Sequence, residues 1–329
     1  MATNTLSLNA RVVRDRLTRR LSQEYVLMIW LLLLTAVTTA TNTRFLEKRN
    51  ITTILGDSSY VAVAAIGMSM VIISGNIDVS VGSMIGILAT VSGRLAIAHG
   101  VPITVAYVSP LVCGALLGAA VGFMVAYLRI PAIVVTLGMM SILQGVLILW
   151  TGGEWIYDLP DTYKLAQWSL LGVPVPVYFM VTLTILAGLW MRYSDTGRTI
   201  YAVGGNSEAA RLAGISRERT LMTVFILNGV MLGIAAVLFA TQRTSIQSTV
   251  PSELLLLIIS SSVIGGVSIL GGIGTAIGST LGAVLLRTIN ASMLFAGISQ
   301  YWLGAVQGIL ILLTVLLDLL RRHRQKYLK

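Results

Sequence analysis

Residues Gly75 to Gly86 read GNIDVSVGSMIG and lie inside an otherwise apolar stretch that runs from about Ser58 to Ala98. One carboxylate, Asp78, stands there among glycines and serines. An ionisable group inside a membrane-spanning stretch is costly, so by default it marks a pathway or a structural break. Helices avoid glycine unless a break or a close approach is wanted. The segment reads as an interrupted span in a chain that moves something across a bilayer.

The composition around it agrees. The chain has 329 residues, 56% hydrophobic and 11% charged, with a mean hydropathy of +0.86. A soluble domain carries about 25% charged residues. So much apolar surface has no soluble solution, and the chain reads as an all-α polytopic membrane protein. Its 32 glycines suit transmembrane helices, which approach closely through small residues. The single cysteine, Cys113, sits in an apolar run and reads as inert packing. His99 and His323 lie at segment ends, so no histidine metal site is expected.

The net charge is +10, and its arrangement argues against nucleic acid. Arg11, Arg14, Arg16, Arg19 and Arg20 precede the first apolar run, and Arg321, Arg322, Arg324, Lys326 and Lys329 follow the last. Arg192, Arg198, Arg211, Arg217 and Arg219 cluster in or beside one polar loop. That is the cytoplasmic positive bias of membrane proteins. The first run, from Tyr25, lacks a small-residue cleavage site and is followed by further spans, so it reads as a retained span.

A span needs about 20 mostly apolar residues. Ten stretches qualify: Tyr25–Ala40, Ser58–Ser74, Ser83–Ala98, Ile103–Leu128, Ala132–Thr151, Pro174–Met191, Leu221–Ala240, Leu254–Leu270, Thr275–Phe295 and Tyr301–Leu320. The chain then divides into a cytoplasmic arm (1–24, with an amphipathic helix within Met1–Gln23), a transmembrane domain (25–320) and a basic cytoplasmic tail (321–329). An even count puts both termini in the cytoplasm, together with the polar loop 194–220 and its arginines. The acidic, aromatic-flanked stretch Gly152–Gly172 falls outside, with Trp155, Tyr157 and Trp168 suited to the interface. Arg44, Lys48 and Arg49 also fall outside, against the charge rule.

Gly75–Ala89 aligns without gaps to Gly271–Leu285, matching at five of fifteen positions. Paired glycine-interrupted spans in two halves are what a transporter repeat looks like. The polar loop carries a second signal. Asn206 or Ser207 can cap a helix N-terminus, Glu208 suits its dipole, and Gly214 is a natural stop. A two-turn helix, Ser207–Ala213, would present Ala209, Ala210 and Ala213 beside Arg211 and Leu212. A helix with such a small-residue face can enter a groove on a partner; it can equally be a solvated connector.

Four stretches now carry a resemblance: GNIDVSVGSMIGI (Gly75–Ile87), IPAIVVTLGMMSILQG (Ile130–Gly145), TGRTIYAVGGNSEAARLAGI (Thr196–Ile215) and VIGGVSILGGIGTAIGSTLGA (Val263–Ala283). Together they resemble the permease subunits of ATP-binding-cassette importers for ribose and related monosaccharides, over nearly the whole chain after its N-terminal arm. The segment LWTGGEWIYDLP (Leu149–Pro160) is similar to permeases for autoinducer-2, a furanosyl signalling sugar; rhamnose and ribose permeases are also similar. The resemblance implies a bacterial inner-membrane permease of the ribose-transporter type. Its partners would be cytoplasmic ATP-binding subunits, a periplasmic sugar-binding protein and a second permease subunit, the same or different, all in membrane lipid. It also implies that Gly205, Asn206, Ser207, Glu208, Ala209, Ala210, Arg211, Leu212 and Gly214 form the element that docks on the ATPase.

ATP chemistry itself is absent, since no G-x-x-x-x-G-K-[ST] loop occurs. No cofactor and no catalytic residue is expected on this chain. An intramembrane hydrolase would need a nucleophile with a base, and neither H-E-x-x-H nor G-x-S-x-G is present. An ion-coupled secondary sugar transporter is the rival reading; it usually needs titratable groups within its spans, and Asp78 is nearly alone. Asp78 itself could gate or cap the helix that begins near Val81 or Ser83, contact sugar hydroxyls, or relay a proton. Asn76, Ser80, Gly82, Ser83, Thr136 and Asn228 are further gate or pathway candidates. Each could equally hydrogen-bond a neighbouring helix. Arg94 and Arg287, deep in spans, read as snorkelling or paired.

Overall fold

The computed structural model describes residues 24–249, 253–299 and 301–327. Apolar runs of span length separated by short polar turns fold as helices, because helices alone satisfy every backbone group within one segment in lipid. Ten helices of twelve residues or more result: α1 (Glu24–Thr41), α2 (Lys48–Ile73), α3 (Val81–Ile97), α4 (Ile103–Ala126), α5 (Ala132–Thr151), α6 (Val175–Tyr193), α9 (Arg217–Thr241), α10 (Glu253–Ile264), α11 (Ala276–Phe295) and α12 (Trp302–Tyr327). Seven are long and apolar enough to cross a membrane unaided, while the apolar parts of α3, α10 and α12 are shorter. Two short helices, α7 (Asp195–Gly205) and α8 (Ser207–Leu212), fill the polar loop. A two-stranded hairpin, β1 (Ser169–Leu170) with β2 (Val173–Pro174), closes the α5–α6 connection.

The centre of the bundle is α2, buried almost throughout and packed on α9, α10, α11 and α6. Helices α1, α4, α5 and α6 keep largely apolar outward faces, as lipid-facing helices do. Successive connections alternate between two ends. At one end the 152–174 connection meets the one after α9 through the Ile156–Ile246 bridge, and Phe45 meets Phe295 edge-on. At the other end lie the connections 74–80, 127–131, 194–216 and 265–275.

Helix α4 packs backbone to backbone on α9. A Cβ added at Gly114 would sit 2.2 Å from the Gly229 carbonyl oxygen, and one at Gly229 would sit 2.0 Å from that of Gly114. Gly118 meets the Phe225 carbonyl and Gly233 that of Pro110 in the same way. Gly114/Gly118 and Gly229/Gly233 form two small-x-x-x-small ridges that let the backbones touch. Gly229→Val should force these helices apart. Its expected result is a transporter melting many degrees lower and recovered in poor yield; a melting curve matching the wild type would refute this packing.

Several boundaries differ from the sequence reading. Helix α2 begins at Lys48 rather than near Ser58, so Lys48 and Arg49 occupy its first turn. Both side chains are exposed, at the end of the bundle opposite the arginine-rich loop. Helix α10 stops at Ile264 and not near Leu270, because Gly265 and Gly266 end it. Helix α12 continues to Tyr327 through most of the segment read as a tail. The arm Met1–Gln23 and its amphipathic helix lie outside the described residues.

Candidate functional site at the two helix breaks

Helix α2 ends in a Schellman motif. Gly75 takes a left-handed conformation (φ 84°), its N–H bonds the Ile72 carbonyl at 2.9 Å, and the Asn76 N–H bonds that of Val71 at 3.1 Å. After this stop the chain turns over Ile77 to Ser80 and re-enters as α3. The Asp78 carboxylate accepts hydrogen bonds from the Ser80 amide (2.9 Å), the Ser80 hydroxyl (2.5 Å) and the Asn228 side-chain amide of α9 (2.8 Å). Asp78 and Asn228 are each 1% exposed. The carboxylate therefore closes a turn and ties it to α9, rather than capping α3: the N-cap position is Ser80, and α3 has no side-chain cap.

The second half repeats the device. Helix α10 ends with Gly266 at φ 91°, its N–H bonded to Val263 and the Val267 N–H to Ser262. The gap-free sequence match aligns the helices that follow the breaks, α3 and α11. It misassigns the stop, because the first break spans seven residues (74–80) and the second eleven (265–275). Gly271, matched to Gly75 in sequence, is instead in contact with it: a Cβ on Gly271 would lie 3.2 Å from the Gly75 Cα and 2.6 Å from the Gly204 carbonyl oxygen.

Gly204 belongs to α7, whose N-terminus is capped by the Ser194 hydroxyl accepting from the Gly197 amide. The C-terminal end of α7 lies against both breaks. A Cβ on Gly204 would fall 1.7 Å from the Ile73 carbonyl oxygen, the same oxygen that accepts the Gly272 N–H at 2.8 Å. Tyr201 donates to the Gly274 carbonyl at 3.0 Å. Three backbones thus meet with no side chain between them: the end of α2, the 271–274 turn and the end of α7. Only glycine permits that approach.

Immediately after this junction comes α8. Asn206 caps it, its side-chain oxygen accepting from the Glu208 and Ala209 amides at 3.1 and 3.0 Å. Gly214 (φ 82°) ends it with a further Schellman motif, its N–H on Arg211 and the Ile215 N–H on Ala210. Arg211 bonds Glu208 through Nε and Nη2, which holds that carboxyl below its usual range. Gly205, Asn206, Ser207, Glu208, Ala209, Arg211, Leu212 and Gly214 are exposed, Leu212 at 76%. Ala210 is buried, so it packs inward and is not part of the presented face.

The structure brings together Asp78, Ser80 and Asn228. Ser83 is buried with an unpartnered hydroxyl, and Gly82 lies in the first turn of α3. Asn76 bonds back to Ser74, and Thr136 on α5 bonds its own helix at Ile133. Sequence reasoning missed α7, although Ser194 followed by Asp195 is a start signal. It also missed Gly204 and Gly272 as contact residues, which no local signal discloses.

Known proteins resemble the chain along most of its length. The family model described as branched-chain amino acid transport system / permease component matches residues 50–315. The autoinducer 2 import system permease protein LsrC of Enterobacter sp. (strain 638) is 36% identical over 299 residues, covering 90% of this chain and 87% of that one. The protein of the same name from Klebsiella pneumoniae subsp. pneumoniae is 37% identical over 284 residues (86% and 82% covered). That from Escherichia coli O157:H7 is 34% identical over 314 residues (93% and 92%). No solved structure matches the chain.

Proposed function

We propose, for a chain that belongs to the family of branched-chain amino acid transport system permease components, the role of membrane-spanning subunit in an ATP-driven bacterial importer of a small sugar. The family name points to amino acids. The relatives, each aligned over more than four-fifths of its length, are autoinducer 2 import permeases, and they favour a furanosyl or related monosaccharide cargo. Rhamnose and ribose are further members of that class. On this reading the chain lies in the inner membrane with both termini cytoplasmic, paired with a second permease subunit. ATP-binding subunits engage α8 from the cytoplasm, and a sugar-binding protein delivers cargo at the opposite, periplasmic end.

The observation that carries the reading is the seat of α8. An exposed, doubly capped helix is joined by one residue, Asn206, to a side-chain-free junction with both helix breaks. A displacement of α8 by a partner therefore reaches the end of α2 and the 271–274 turn before α11 through backbone contacts rather than through compressible side chains. Asp78 and Asn228 hold the first break in one arrangement until that displacement acts.

The test is a charge placed on the presented face. Ala209→Glu and Leu212→Asp should leave the spans inserted and the protein amount unchanged while sugar uptake falls to background. Normal energy-dependent uptake in both variants would remove α8 from the coupling path. Ala210 is unsuitable for this purpose, because its burial would confound docking with packing.

A further inference from the structure

At the end of the bundle opposite α8, a cavity of about 540 Å³ opens over the start of α2. Lys48, Arg49 and Asp57 of α2 line it, with Gln167 and Trp168 from the α5–α6 connection and Gln242 at the end of α9. Its volume suits one small ligand. From these residues we infer that the cavity is a binding subsite for a single sugar molecule within the permease itself. The inference rests on the sugar-importer reading and adds to it the place where cargo first meets this chain.

The walls are held in position. The Gln242 side-chain amide donates to the Gly56 carbonyl at 2.8 Å, and that of Gln167 to the Thr241 carbonyl at 3.3 Å. The β1–β2 hairpin turns through Leu171 (φ 52°) and Gly172 (φ 79°), and Lys48 Nζ lies 3.4 Å from where a Gly172 Cβ would be. Deeper along α2, beyond the residues that line the cavity, Arg287 of α11 donates to the Tyr60 hydroxyl. The Nε of Arg287 is a buried donor without a partner. Beyond Tyr60 every residue of α2 from Val61 to Ile73 is buried.

The chemistry selects the ligand. A sugar presents hydroxyls that both donate and accept, and apolar C–H faces. Asp57 can accept, Lys48 and Arg49 can donate, and the side-chain carbonyl oxygens of Gln167 and Gln242 can accept from a hydroxyl. The Trp168 indole, 56% exposed, offers a flat apolar surface for a ring. An apolar ligand would strand these polar groups, and a cation would meet Lys48 and Arg49. The two cations also account for basic residues at an end where the charge rule disfavours them.

The experiment uses the complete transporter, with its ATPase and second permease subunit, in lipid nanodiscs, probed with ribose, rhamnose and autoinducer-2. With no binding protein present, one of these sugars should change tryptophan emission, and Trp168→Phe should abolish the change while melting as the wild type does. Asp57→Asn should raise the half-saturating sugar concentration about tenfold, the equivalent of one weakened hydrogen bond to a charged group. No emission change in the wild type, or an unshifted midpoint in Asp57→Asn, overturns the subsite. So does a loss of binding-protein association in both variants with sugar affinity unchanged, since the cavity would then be a docking face. An emission change without uptake by the energised wild type counts against the importer reading and leaves the subsite standing.

Discussion

Gly204→Val is expected to abolish sugar uptake while the transporter still hydrolyses ATP. The added Cβ would fall 1.7 Å from the Ile73 carbonyl oxygen, and the Gly272 amide, 3.0 Å away, bounds the other side. Ordinary overpacking costs about 1–3 kcal/mol because side chains can shift. Here the obstacles are backbone atoms at the end of a buried helix, and Ile73 is already fixed by its bond to Gly272. The cheaper response is for α7 to lift away from the breaks, carrying α8 with it. Hydrolysis then continues without moving α2 or the 271–274 turn. Gly188→Ala on α6 is the matched control: it has nothing within 4 Å of its would-be Cβ and should transport as the wild type does. Measuring uptake and ATPase activity together on the purified complex decides the matter. Coupled transport in Gly204→Val would show that the junction transmits nothing.

Asp78→Ala is expected to cause the next largest loss, this time of the folded state. Removing the carboxylate strands the Ser80 amide and the Asn228 side-chain amide in a region that is 1% exposed or less, and leaves the Ser80 hydroxyl only the Met84 sulfur at 3.4 Å. Each stranded buried donor costs about 1–3 kcal/mol. The total rivals the entire stability of an ordinary domain, about 5–15 kcal/mol. Little folded protein should be recovered from membranes. Asp78→Asn separates the charge from the hydrogen bonds. An asparagine oxygen still accepts from Ser80, and its amide can donate to Asn228 once Asn228 turns its unpartnered Oδ1 inward. That variant should fold and should keep most of its uptake, because the tie, not the charge, does the work. Wild-type stability with no transport in Asp78→Asn would instead give the charge itself a part in the transport cycle.

Much of this architecture was legible in the chain. Among the described residues each of the ten apolar stretches holds a helix, seven of them long and apolar enough to cross a membrane, and Ala132–Thr151 ran over the same residues in both. Asn206 as cap, Glu208 in the first turn and Gly214 as stop were read from residue type, because capping is local chemistry within four residues. Where the reading failed, the signal was local but mixed. The start of α2 carries Lys48 and Arg49, which hydropathy excludes from a span although the helix itself continues through them. The end of α10 is a glycine pair within an apolar run that hydropathy joins together. Arg287, read as snorkelling or paired, is paired with Tyr60 across 227 residues.

The sequence by itself determined that this chain crosses a membrane many times, that two of its apolar stretches are broken by glycine, and that a short capped helix sits in its arginine-rich loop. Hydropathy, periodicity and caps act within a few turns of the same segment, so one sequence suffices to read them. Only the tertiary structure decided that Asp78 finds its partner in Asn228, that Gly75 lies against Gly271, and that Gly204 fits over the Ile73 carbonyl. These are approaches between segments far apart in the chain. Whether a glycine is a hinge, a stop or a contact depends on which backbone arrives opposite it, and that is set by how the helices pack.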